Sequence, residues 1–179
     1  MNARGFTLAE MLVSMTIVVG MAGLLAAALR MSRQSWQSTE SYVTVSDELR
    51  RGVDAISREI AATRSNQLSI PADGNWYAAL TFKIPQDLNG DGTVLDAAGA
   101  LEWSSSITYS MGGINGTQAL RTQPAQANRV LANGVTALQF RRFAVTPAVV
   151  ETRMTVQRGV STGDFPHQAT LSTKVRLRN

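Results

Sequence analysis

The sequence predicts an α+β protein: one long N-terminal α-helix, membrane-spanning in its first half, packed by its second half on a C-terminal antiparallel β-sheet head. Three observations carry this prediction. Phe6 to Leu29 is an apolar run of 24 residues with a single charge, Glu10. From Tyr42 to Ile60 apolar side chains recur with a helical period. Beyond Pro71 the period falls to two, with turn residues between the runs.

The apolar run is closed by Arg30 and Arg33. At 1.5 Å per residue a helix of this length reaches about 36 Å, enough for a hydrocarbon layer of about 30 Å. Leu, Met, Ala, Val and Ile fill it; Gly20 and Gly23 are ordinary in a spanning helix, and no proline interrupts it. No breaker follows between Leu29 and Thr63, and the first proline is Pro71. Tyr42, Val45, Leu49, Val53, Ile56 and Ile60 form one stripe, with Glu48, Arg50, Arg51, Asp54, Arg58 and Glu59 on the other faces. The two halves therefore read as one helix of roughly 87 Å. Gly52 is its weakest point after the membrane, by up to about 1 kcal/mol relative to Ala. The chain divides into a leader at 1–5, a spanning half at 6–29, an amphipathic half at 30–65 and the head at 66–179.

In the head, Trp76 to Ile84 predicts a strand ended by Pro85. Ile107 to Met111 and Ala119 to Thr122 flank Gly112-Gly113-Ile114-Asn115-Gly116, which reads as a hairpin tip. Val135 to Phe143 follows the Asn133-Gly134 turn. Val150, Thr152, Met154 and Val156 alternate with polar residues, as do Leu171, Thr173, Val175 and Leu177. Strands of this kind bury one face, and the apolar helix stripe is its natural cover.

Composition narrows the chemistry. A chain of 179 residues with 44% apolar residues buries a core without staples. Zero cysteines exclude disulfide scaffolds, thiolate zinc sites, iron–sulfur clusters and cysteine nucleophiles. The single histidine, His167, reads as a turn residue in Ser161 to Gln168, and neither a G-x-S-x-G elbow nor a phosphate loop is present. The chain is thus read as a non-enzyme. Asp87-Leu88-Asn89-Gly90-Asp91-Gly92-Thr93 matches the first half of a calcium loop, with oxygens on Asp87, Asn89 and Asp91 and the Thr93 carbonyl. Position twelve is Ala98, so Asp96 or Glu102 would have to supply the last ligand. A loop-stiffening calcium ion is the one cofactor to which the sequence points.

Charge is unevenly spread although the total is only +4. Residues 73–102 hold five acids against Lys83, and residues 121–178 hold nine bases against Glu151 and Asp164. Such asymmetry marks complementary faces, a polyanion patch or simply solvated strands. Arg141, Arg142, Arg153, Arg158, Lys174, Arg176 and Arg178 would form the patch in a nucleic-acid-capturing head. A further alternative is conventional secretion of a calcium-binding globular protein, since Ala26-Ala27-Ala28 satisfies a leader-cleavage rule.

Arg4-Gly5-Phe6-Thr7-Leu8-Ala9-Glu10 resembles the type IV prepilin signal. The resemblance implies cleavage after Gly5, N-methylation of the new terminal Phe6, and an assembly role for Glu10. Physics supports that register. An ionised carboxylate at the centre of a bilayer costs about 2.5–3.5 kcal/mol on translocon scales and seeks a partner or the headgroup level. Cleavage before Phe6 would create an ammonium four residues away, and in a helical stack that charge could meet the Glu10 of a neighbour. The long helix bearing a sheet resembles the pilin and pseudopilin fold. The ending from Thr170 to Asn179 and the Asn133-Gly134-Val135 stretch are similar to PulJ/PilW-type minor pilins. That likeness implies a minor pilin or pseudopilin, initiating or capping a type IV pilus or a type II secretion pseudopilus. Its partners would be other pilins, prepilin peptidase/N-methyltransferase and the bacterial inner membrane, crossed once with the head outside the cytoplasm. The absent cysteine pair and helix proline depart from the major-pilin pattern.

Overall fold

Helix α1 runs from Leu8–Ala62 without a break, in a computed structural model that describes residues 7–158 and 167–178, apart from the side chains of residues 37 and 38. The leader, Gly5, Phe6 and the turn-rich stretch at 161–166 lie outside the described residues. The chain forms two compact units, Met1–Ser41 and Tyr42–Asn179. In the first, the described residues from Leu8 onward are helix, and its large apolar side chains from Leu8 to Leu29 are 54–80% exposed. An apolar surface of this kind on every side suits a lipid or helical environment rather than water.

In the second unit the helix stripe is buried through Val45, Leu49, Val53, Ile56 and Ile60. Tyr42, expected to begin the stripe, is instead 60% exposed. Burial starts one turn later, at Val45, where the helix meets the core formed with the strands.

The strands are β1 (Trp76–Tyr77), β2 (Leu80–Phe82), β3 (Ile107–Gly112), β4 (Gln118–Thr122), β5 (Arg129–Asn133), β6 (Val135–Arg142), β7 (Val149–Arg158) and β8 (His167–Arg176). They make two antiparallel sheets, ordered β1-β6-β7-β8 and β2-β3-β4-β5. The β3–β4 hairpin and the last two long strands lie where alternation places them. The strand expected over Trp76 to Ile84 is split: β1 pairs with β6, β2 pairs with β3, and Ala78-Ala79 between them is exposed. Two small residues with no apolar anchor let the chain leave one sheet and enter the other. Asn133-Gly134 likewise changes sheets rather than closing a hairpin, because β5 pairs with β4 whereas β6 pairs with β7. Gly134 has φ +66°, and a Cβ there would lie 2.7 Å from the Gln157 carbonyl oxygen, so glycine is required on both counts. Strand β5 was not expected; its mostly exposed residues give no clean alternation.

The core joins both sheets through rings. Phe82 and Tyr109 have centroids 5.3 Å apart, and Tyr109 and Phe140 6.5 Å apart. The buried Tyr109 hydroxyl donates to Glu59 Oε2 on α1 at 2.8 Å, and Arg121 Nε lies 3.0 Å from both Glu59 oxygens. Burial, reinforced by the Glu59 carboxylate, pushes the Tyr109 phenol well above its ordinary pKa and keeps it a donor. Beyond the helix, the Thr63 hydroxyl donates to the Lys83 carbonyl, and the Arg178 amide donates to the Thr63 carbonyl at 3.0 Å. Side-chain and backbone bonds thus fasten the segment after α1 to the residues that follow β2 and β8.

Gly52 proves to be a contact point rather than only a weak one. A Cβ at this position would sit 3.1 Å from the Ala132 Cβ and 3.1 Å from the Met154 Cε. The helix passes close to β5 and β7 here because no side chain intervenes. Gly52→Leu should destabilise the head by about 1–3 kcal/mol through overpacking, read from denaturant unfolding. Tyr109→Phe should lose about 1–2 kcal/mol by the same measurement, because Glu59 keeps Arg121 but loses a buried donor.

Candidate functional site

The first site stands at the start of α1. Thr7 precedes the helix, and its backbone N–H donates to Glu10 Oε2 at 2.9 Å. Its hydroxyl donates to the same oxygen at 3.0 Å, while the Glu10 N–H donates back to the Thr7 hydroxyl oxygen at 3.3 Å. This reciprocal arrangement is a capping box, T-x-x-E, in which the carboxylate also meets the positive end of the helix dipole. The T-x-x-E spacing that signals it is legible in Thr7-Leu8-Ala9-Glu10. Glu10 is thus placed at the first turn of an apolar helix, and the described bonds to it all end on Oε2. Gly5 and Phe6, its expected companions, lie outside the described residues.

The second site is the outward face of the β1-β6-β7-β8 sheet. Register aligns Trp76, Arg141, Glu151 and Lys174 across the four strands, with Gln139, Arg153 and Ser172 in the next row. Trp76 carries two guanidinium groups, Arg141 at 4.5 Å and Arg153 at 4.3 Å from the ring centroid. Phe143 carries Arg141 at 4.7 Å and the Lys174 ammonium at 5.2 Å. Glu151 lies beneath them, 6% exposed, accepting from Arg141 Nη2 at 2.5 Å and from the Ser172 hydroxyl at 2.6 Å. Burial opposes its ionisation, but the Ser172 hydroxyl, the Arg141 guanidinium and the Lys174 charge outweigh that and hold its pKa below the ordinary value.

The structure therefore sorts the seven basic residues. Arg141, Arg153, Lys174 and Arg176 share the outward parity of this sheet. Arg142 has the opposite parity, and its Nε donates to the Pro147 carbonyl at 2.6 Å. Arg158 stands opposite His167 at the end of the β7–β8 pair, so the histidine opens a strand. Arg178 forms a bridge with Arg64.

The Asp87–Thr93 loop is a chain of turns held by its own side chains. Asp87 accepts from the Gly90 and Gly92 amides at 2.7 and 2.8 Å, Asn89 from the Asp91 amide at 2.9 Å, and Asp91 from the Thr93 amide at 2.8 Å. Glu102 reaches back to the Leu88 amide at 2.7 Å and the Asn89 side-chain amide at 3.2 Å. Asp96 belongs to a separate turn, accepting from the Ala98 and Ala100 amides. Among the described residues no three Asp, Glu, His or Cys side chains are grouped to hold a metal ion.

Because the native pKa of Glu151 is depressed, its contribution is fully present above the ordinary glutamate pKa and lost as pH falls toward the native value. Glu151→Gln should lower stability at neutral pH and flatten the acid decline, as read from melting temperatures across an acid pH series.

Residues 1–28 match the family model described as the prokaryotic N-terminal methylation motif. No curated protein and no solved structure matches the chain. The apolar part of α1 is long and apolar enough to cross a membrane. Motif and helix together fit a pilin anchored in the inner membrane, and the motif implies processing by prepilin peptidase and assembly with other pilins. The chain carries a type IV prepilin-like signal at the head of a long helix packed on antiparallel sheets, and so reads as a type IV pilin-like protein.

Proposed function

We propose that this chain is a non-enzymatic filament subunit, cut between Gly5 and Phe6, N-methylated on Phe6 and drawn out of the inner membrane into a pilus or pseudopilus. The observation that carries this reading is the methylation motif at residues 1–28, set on a helix whose apolar half holds one carboxylate, Glu10, in the first turn. The second half of the helix and the two sheets form a head with its own core, so the apolar half remains available for packing against other helices. Resemblance of the closing strand and of the Asn133-Gly134-Val135 stretch to PulJ/PilW-type proteins supports a minor subunit, one that helps initiate or cap the filament. In that assembly Glu10 exchanges neutral donors for the terminal ammonium of a neighbour, and the pair sets axial register between subunits.

The mature N-terminus is the direct test. Mass spectrometry of the protein from membranes should find a chain beginning at methylated Phe6; a chain beginning at Met1 or at Leu29 would end this reading. Glu10→Ala should leave membrane insertion intact and sharply reduce recovery in sheared filaments, whereas normal recovery would remove the register role.

A further inference from the structure

The charge asymmetry of the head has a structural form. The loop from Gln86 to Glu102 holds Asp87, Asp91, Asp96 and Glu102 and no cation. Each of the four carboxylates is engaged by neutral N–H donors, with the Thr93 hydroxyl as a further neutral donor to Asp91, so their positions are fixed while their charges stay uncompensated. Among the described residues none of the four belongs to an ion pair. Leu88, Val94 and Leu95 on the same loop are 61%, 38% and 44% exposed. The outward face of the β1-β6-β7-β8 sheet is its counterpart: Arg153, Lys174 and Arg176 exceed the one buried acid, Glu151, which Arg141 already neutralises. Rings of Trp76 and Phe143 lie among these cations. Guanidinium and ammonium groups already sit on those rings, so the face is poorly suited to stacking bases, whereas its N–H groups suit carboxylates.

We propose that the acidic loop of one copy docks on the Trp76–Arg153–Arg176 face of a second copy. The loop carries acids and exposed aliphatics, and the face carries cations and rings, so charge and apolar surface match in kind. The two patches differ, so the contact is heterologous; repeated, it places copies in a row instead of closing a dimer. The inference rests on the filament part of that reading, with the chain present as successive copies and not as a single cap, and deepens it by assigning head surfaces to the contact between them.

The test uses the full chain in detergent, and the absence of native cysteine makes it clean. Gln139→Cys puts a thiol beside Arg153 in the sheet register, and Ala97→Cys puts one on the loop, leaving every charge in place. Mixed at low salt under mild oxidation, the two variants should form the mixed disulfide at about fivefold or more the yield of either homodisulfide. Salt on the order of 1 M should suppress it. Adding Arg153→Glu and Arg176→Glu to Gln139→Cys should cut the yield about tenfold, with an unchanged melting temperature showing that the head is intact. A mixed disulfide no more abundant than the homodisulfides, or one that survives the charge reversals, overturns the docking. The filament reading fails separately: a chain that keeps its first five residues but still cross-links loses the filament role and keeps the contact. A processed chain that does not cross-link loses only the contact.

Discussion

A single helix has to satisfy two surroundings, and the rest of the molecule is arranged around that demand. Up to Leu29 its side chains are apolar on every side and exposed, which is tolerable only in lipid or among other helices. From Val45 only one stripe is apolar, and it is buried by the chain's own strands. The change from one regime to the other happens within one uninterrupted element. Each later feature follows: the sheets need an apolar inner face, Gly52 needs no side chain, and Glu59 reaches from the helix to the Tyr109 hydroxyl and Arg121 in the second sheet.

The periodic parts of this design were legible in advance. A helix from the apolar run to Thr63, the β3–β4 hairpin and the alternating residues of β7 and β8 announce themselves by spacing alone. What escaped was the division into two sheets. It turns on Ala78-Ala79 and Gly134, short links that read locally as strand interior and as a turn before a strand. Their role depends on which distant strand lies beside them, and no local period encodes that. The Glu59–Tyr109–Arg121 cluster was hidden for the same reason, because its members lie 50 and 62 positions apart.

At the candidate sites the pattern is mixed. Residues 4–10 declared the processing signal through side-chain type and register, and the family match falls on the same segment. The basic residues were recognisable as a group, but only strand register separates Arg141, Arg153, Lys174 and Arg176 from Arg142, Arg158 and Arg178. Nor could composition show that Glu151 lies beneath those cations. Its negative charge anchors the arginine nearest Trp76 and keeps part of the face from acting as a loose cloud of positive charge.

The capping box at Thr7 and Glu10 has a bearing on timing. A carboxylate answered by its own chain is not a naked charge while the subunit waits alone in a bilayer. In the proposed filament, joining a neighbour would then be a trade of one set of contacts for another, since neutral donors already meet part of the carboxylate's need for partners. Under that proposal the subunit could be stored before it is needed and recruited without first being rescued, a property useful to any polymer that is fed from a membrane reservoir.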